Sequence, residues 1–157
     1  MPAIELETII SAPIAVCFDL SRSIDLHSIS TAGTNEKAIA GRTSGLIELN
    51  EFVTWQATHF FITQKLTSKI TALEYPLHFR DEQVKGAFKS IVHDHYFSTT
   101  GEAVKMIDVF RFESPAGVIG KIFNRLVLTS YLRRFLKERN KVIKDYAENG
   151  KWREVIK

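Results

Sequence analysis

Three consecutive segments between Pro76 and Gly120 carry ionisable side chains at alternate positions of otherwise apolar stretches. They read Leu77-His78-Phe79-Arg80-Asp81-Glu82-Gln83-Val84-Lys85, then Phe88-Lys89-Ser90-Ile91-Val92-His93-Asp94-His95-Tyr96-Phe97, then Val104-Lys105-Met106-Ile107-Asp108-Val109-Phe110-Arg111-Phe112. Strand side chains alternate between faces, so His93, His95 and Phe97 share a face, as do Met106, Asp108, Phe110 and Phe112. A histidine held by a carboxylate in a partly dry pocket titrates near neutral pH and can move protons. His93, His95 and Asp108 are therefore the candidates for general acid–base catalysis. His93 and His95 lie about 7 Å apart at Cα on one strand and could share a metal with Asp81 or Asp108, with His59 approaching from another strand. H-x-H has no third His or Cys at a fixed spacing, however, and the sequence assigns no metal ligand and no cofactor. The structural alternative is an ion network, in which Asp81 and Asp108 pair with the histidines, or with Arg80 or Arg134, because a buried carboxylate needs a partner. No nucleophile is evident: Cys17 is misplaced, and no serine sits in an activating motif. Tyr96 points to the opposite face by phase, and His78, out of phase with Phe79, reads as surface or edge.

The elements that must hold these residues follow from periodicity. Ala3 to Ile10 alternates Ile4 and Leu6 with Glu5 and Glu7 and predicts an edge strand. Ser11-Ala12-Pro13 opens a helix, with Ser11 as the expected N-cap and Ile14, Cys17 and Phe18 as its buried stripe. A second short helix is predicted from Ser23 to Ile29, capped by Ser23 and ended by Thr31-Ala32-Gly33-Thr34. Short and long strands follow at Glu36 to Ala40, Glu51 to Phe60 and Ile62 to Thr71, the last sending Ile62, Gln64, Leu66, Ser68 and Ile70 inward. Turns at Tyr75-Pro76, Lys85-Gly86 and Thr100-Gly101 divide the final three strands into a meander. From Val118, apolar residues recur at three- and four-residue steps through Tyr146, which predicts an amphipathic helix of about 30 residues and roughly 45 Å, ended at Asn149-Gly150.

Length and composition bound the rest. A chain of 157 residues, 45% hydrophobic and 25% charged, fits one domain over 1–157 with its own core. Acids near the N-terminus argue against a signal peptide, and no stretch is apolar for long enough for stable membrane insertion. One cysteine excludes an internal disulfide framework and points to the cytoplasm; at Cys17 it reads as a buried structural thiol. The net charge of +3 is uneven, since Lys121 to Lys157 carries +7 and the first 120 residues −4. Those bases alternate with Glu138, Asp145, Glu148 and Glu154 on a solvated helix face, without a nucleic-acid motif. An interaction module would use Arg133, Arg134, Lys137, Lys141 and Lys144 against an acidic partner or anionic membrane.

The order of elements is α+β: one strand, two short helices, further strands and a long helix. Ile9-Ile10-Ser11-Ala12-Pro13-Ile14, Cys17-Phe18-Asp19-Leu20, Val53-Thr54-Trp55-Gln56-Ala57, Pro76-Leu77-His78-Phe79, Gly86-Ala87-Phe88, His93-Asp94-His95-Tyr96-Phe97, Met106-Ile107-Asp108 and Pro115-Ala116-Gly117 occur in that order. Through them the chain resembles the START-like, SRPBCC or helix-grip superfamily, which includes plant allergens of the birch-pollen type. Within it the more specific resemblance is to bacterial proteins labelled polyketide cyclase/dehydrase-like. The resemblance implies a curved antiparallel sheet of six to seven strands wrapped around a long C-terminal helix, with a hydrophobic cavity between them. Phase then puts Trp55, His59, Gln64, Ser68, Phe79, Asp81, Gln83, Ile91, His93, His95, Phe97, Asp108 and Phe110 on the inner surface, facing Phe123, Leu126, Tyr131 and Leu132. The expected role is binding or carrying a small hydrophobic or aromatic molecule, by a monomer or homodimer. The alternative the resemblance implies is a cyclase/dehydratase-type enzyme using the pocket His and Asp side chains.

Overall fold

The computed structural model describes residues 2–59, 61–114 and 127–156. Its order is β1 (Ala3–Ile10), α1 (Ile14–Ser21), α2 (Ile24–Ser30), β2 (Lys37–Gly41), β3 (Phe52–His59), β4 (Ile62–Glu74), β5 (His78–Lys85), β6 (Ser90–Thr100), β7 (Ala103–Glu113), α3 (Thr129–Glu148) and α4 (Trp152–Val155). Seven strands form a single antiparallel sheet in the order β1-β7-β6-β5-β4-β3-β2. Register shifts interrupt the β2–β3 and β4–β5 pairings, and such bulges bend a sheet. The result is a curved sheet closed on one face by helices, as the order of elements predicts.

Alternation explains the strands. Ile4, Leu6 and Ile10 of β1 are buried while Glu5 and Glu7 face outward, and Val53, Trp55 and Ala57 of β3 repeat the pattern. At the start of β4 it fails: Ile62, expected inside, is 60% exposed, because it sits at the tip of the β3–β4 hairpin where the strand begins. The helix caps divide similarly. Ser23 accepts a hydrogen bond from the Leu26 N–H and caps α2, as expected. Ser11 does not cap α1, whose N-cap is Pro13; its own N–H instead donates to the Glu148 carboxylate at 2.8 Å. The C-terminal helix α3 has 20 residues from Thr129 to Glu148, with Asn149 as C-cap, and is followed by Gly150, whose φ of +73° a side chain would strain. The expected start at Val118, and the Pro115-Gly117 break, lie outside the described residues. Among those described, no helix is long and apolar enough to cross a membrane.

The core has two apolar clusters. One joins Phe18, Phe79, Phe97, Met106, Ile143 and Ala147, with the Trp152, Val155 and Ile156 tail packed back against it. Phe18 centres it, its ring 5.1–5.3 Å from those of Tyr75, Phe79 and Phe97. Burying one such ring contributes on the order of 2 kcal/mol. The other joins Ile4, Leu6, Ile91, Phe112, Leu132 and Leu136. Between them three packed elements turn polar: His93 and His95 on β6, Asp108 on β7, Arg139 and Asn140 on α3, all buried. This polar layer is where the chemistry sits.

Candidate functional site

Antiparallel register assembles the layer. Asp81 lies directly opposite His93, Phe79 opposite His95, His95 opposite Asp108 and His93 opposite Phe110. Opposed side chains in such a sheet have Cβ atoms about 5 Å apart, close enough for short polar side chains to meet. Asp108, with no exposed surface, forms the floor. Its Oδ1 accepts from His93 Nε2 at 2.9 Å and lies 3.5 Å from the Arg139 guanidinium, and its Oδ2 accepts from Asn140 Nδ2 at 2.7 Å. His95 Nδ1 sits 3.0 Å from the same Oδ1, an ion-pair contact at an angle short of a hydrogen bond. Asp81 closes the other side: His95 Nε2 is 2.9 Å from its Oδ2 and His93 Nδ1 is 3.9 Å from it. Two imidazoles, their centroids 3.8 Å apart, are thus held between two carboxylates. Phe79 stacks on His95 at 4.1 Å and Phe110 meets His93 edge-on at 5.1 Å, fixing both rings.

The two histidines differ in electrostatics. Burial and the neighbouring His95 push the His93 pKa down, outweighing Asp108 and Asp81. Burial also acts to lower His95, but its contacts with Asp108 and Asp81 outweigh it and raise the value. For Asp108, burial is overcome by the hydrogen bond from His93, the close contact with His95 and the Arg139 charge, which hold it well below the carboxylate range. Asp81 is lowered by the same balance, with His95 first among the opposing partners. The two rings are therefore displaced in opposite directions, His93 away from protonation and His95 towards it.

A cavity of about 170 Å³ lies against this layer. Of the residues expected to line it, Trp55, His59, Phe79, Asp81, Ile91, His93, His95 and Phe110 do so, as do Ser68, Gln83 and Leu132. Gln64 lines a smaller neighbouring recess with Glu36, Trp55 and His59. Phe97 is not at the cavity; α1 covers that end of the sheet, and the ring packs on Phe18. Asp108 lies beneath the histidine rings rather than at the cavity surface. Tyr131 reaches the site through its hydroxyl, 2.6 Å from the cavity histidine His59. Phe123 and Leu126 lie outside the described residues.

The cations differ from those expected. Arg80 pairs with Asp94 on the outer face, Arg134 is exposed, and the guanidinium beside Asp108 belongs to Arg139, which also donates to the Ser21 carbonyl. One signal was available in the sequence: Arg139 and Asn140 fall on the buried stripe of Leu132, Leu136, Ile143 and Ala147, where a charge needs a partner. A second polar group, also missed, lines the cavity. His27 Nε2 meets Glu36 Oε1 at 3.0 Å, and the His27 ring packs on Trp55 at 4.3 Å.

Neither a family model nor a curated protein matches the sequence. Solved structures do match its shape. TTHA0849 from Thermus thermophilus aligns with a TM-score of 0.71 at 16% identity, covering 90% of this chain and 97% of that one. Ginseng major latex-like protein 151 from Panax ginseng aligns at 0.68 and 19% identity, and Ara h 8.0201 at 0.66 and 12%, each over 93% of this chain and 97% of its own. The chain has the helix-grip fold of the START-like, birch-pollen-allergen type. Identities this low speak to the fold alone. Within the helix-grip frame, this chain puts a layer of paired carboxylates and imidazoles where the sheet faces the C-terminal helix.

Proposed function

We propose that the protein binds or carries a small hydrophobic or aromatic molecule in the cavity between sheet and helix, within one domain over residues 1–157. The observation that carries this reading is the wall composition: Trp55, Phe79, Phe110, Leu132, Phe135 and Leu136 surround a space whose floor is polar. Apolar walls with a few convergent polar groups are the usual character of a small-molecule site. Asp81, His93 and His95 would orient a polar end of the ligand, and the His27, Glu36 and His59 group a second one. The volume suits a compact ligand of one or two rings. A single buried thiol fits a cytoplasmic location.

Native mass spectrometry of the protein purified from its own cells should show a co-purifying apolar molecule. Ser68→Phe, which fills the cavity at a stability cost of about 1–3 kcal/mol, should remove it and abolish enhancement of an apolar fluorescent dye. A wild-type protein that carries nothing and binds no such dye would refute the reading.

General acid–base catalysis is favoured by a specific observation: His93 and His95 stand side by side at the cavity wall, ring centroids 3.8 Å apart, with pKa values displaced downward and upward respectively. Separated protonation states in neighbouring groups provide an acid and a base. Turnover of a carbonyl substrate that persisted in His93→Gln and His95→Gln would exclude those residues from any such chemistry.

A further inference from the structure

We infer that Asp81, His93 and His95 form a binding site for a divalent first-row transition metal of the zinc type, with an open coordination position towards the cavity. One donor atom from each residue lies within 4.8 Å of the others. His95 Nε2 and His93 Nδ1 stand 2.9 and 3.9 Å from Asp81 Oδ2. Tetrahedral zinc with bonds of roughly 2.0–2.1 Å needs donors about 3.3 Å apart, a value these two separations bracket.

The nitrogens turned away from Asp81 supply an independent argument. His93 Nε2 and His95 Nδ1 both face Asp108 Oδ1, at 2.9 and 3.0 Å. With a proton on each of those nitrogens, the lone pairs of His93 Nδ1 and His95 Nε2 both point to the Asp81 side. A carboxylate behind each ligating histidine is the arrangement that fixes tautomer and ring orientation in metal sites. Asp108 cannot itself swing round to become a ligand, because Asn140 holds its other oxygen at 2.7 Å.

Charge and access agree. Once His95 Nε2 has given up its proton both histidines are neutral, and the carboxylates of Asp81 and Asp108 face the Arg139 cation, so a dication is accommodated. On binding, the metal takes the place of the proton shared by His95 Nε2 and Asp81 Oδ2, and that proton leaves to solvent. Asp81 retains 25% side-chain exposure and lines the cavity, which gives a path inward. Two imidazoles and a carboxylate suit zinc, iron, cobalt or nickel better than magnesium or calcium. Three protein ligands leave a fourth position, where a carbonyl or hydroxyl of a cavity ligand would be polarised.

The full chain, stripped with a chelator, is titrated with Zn²⁺ by calorimetry and with Co²⁺ by visible absorption, no organic ligand being present. One ion per chain is expected, with Co²⁺ giving bands of nitrogen and oxygen ligation. Asp81→Ala and His93→Ala should weaken Zn²⁺ by at least roughly 100-fold, and Asp108→Asn, which keeps all three ligands, by about 10–100-fold. His78→Gln, on the outer face, should leave affinity unchanged. Circular dichroism accompanies each variant, and because buried histidine variants can fail to fold, the partly exposed Asp81 decides. Absence of stoichiometric binding to the wild type, or equal affinity in folded Asp81→Ala, overturns the inference. A purely structural ion cluster gives one of those two results.

Discussion

Asn140 Nδ2 donates to Asp108 Oδ2 at 2.7 Å, so the C-terminal helix is fastened to β7 through a carboxylate with no exposed surface. Arg139 strengthens the junction by reaching both Asp108 and the end of α1 at the Ser21 carbonyl. Removing Asp108 leaves that guanidinium buried and uncompensated. Asp108→Ala should lower unfolding free energy by about 3–5 kcal/mol and Asn140→Ala by about 1–3 kcal/mol, read by urea denaturation. A loss under about 1 kcal/mol in Asp108→Ala would mean that the layer does not tie helix to sheet.

A second carboxylate works on the outer face. Asp94 is fully buried beneath His78, Arg80 and Arg111, which contact it at 2.7, 2.8 and 3.0 Å. Burial raises its pKa, but hydrogen bonds from Arg80, His78 and Arg111 prevail and hold it well below the ordinary 3.8. A depressed carboxylate contributes stability that is complete above its unfolded value and lost as pH falls through the folded one. Since Arg80 and Arg111 are 38–40% exposed, solvent screening limits the effect of Asp94→Asn to about 1–2 kcal/mol at pH 7. Denaturant midpoints of the two proteins should converge in strong acid; a gap that stayed constant would assign the loss to packing.

His93 and His95 should respond to pH in opposite senses. His93 is lowered from 6.5, so the unfolded chain binds its proton first, and this residue subtracts stability as pH falls below 6.5. His95 is raised, so its contribution is complete below 6.5 and disappears as pH rises through the higher folded value. Imidazole resonances followed by NMR in chelator-treated protein should titrate on either side of free histidine. Two coincident titrations at the free value would show that the carboxylates do not distinguish the rings.

Cys17 offers a simple check on the packing around α1. Its side chain is fully buried, and burial, with a smaller push from Glu148, raises the thiol to about 11. Ellman's reagent should therefore leave the native protein unmodified over minutes and titrate one thiol after denaturation. Fast native reaction would place Cys17 in an open segment.

Several features were legible in local pattern. Alternation in β1 and β3, the Ser23 cap, the termination at Asn149-Gly150, and the inward phase of Asp81, His93 and His95 each depend on neighbours within a few residues, where backbone geometry fixes direction. The level of the sheet at which α1 closes over the strands involves residues far apart in sequence. Phe97 and Ile91 have the same strand phase, yet only Ile91 reaches the cavity, because Phe18 from α1 occupies the space beside Phe97. Ser11 has the right chemistry for a cap but is drawn instead to Glu148.

The amino-acid sequence alone determined that ionisable residues would face inward on adjacent strands, since a two-residue period leaves no other choice once the apolar face is known. Which charge meets which was decided by tertiary structure. Cross-strand register set Asp81 against His93 and Asp108 against His95, and the docking of the C-terminal helix brought Arg139, rather than Arg80 or Arg134, to Asp108. Ion pairs depend on distances of a few ångströms between groups many residues apart, and only the packed fold defines those distances.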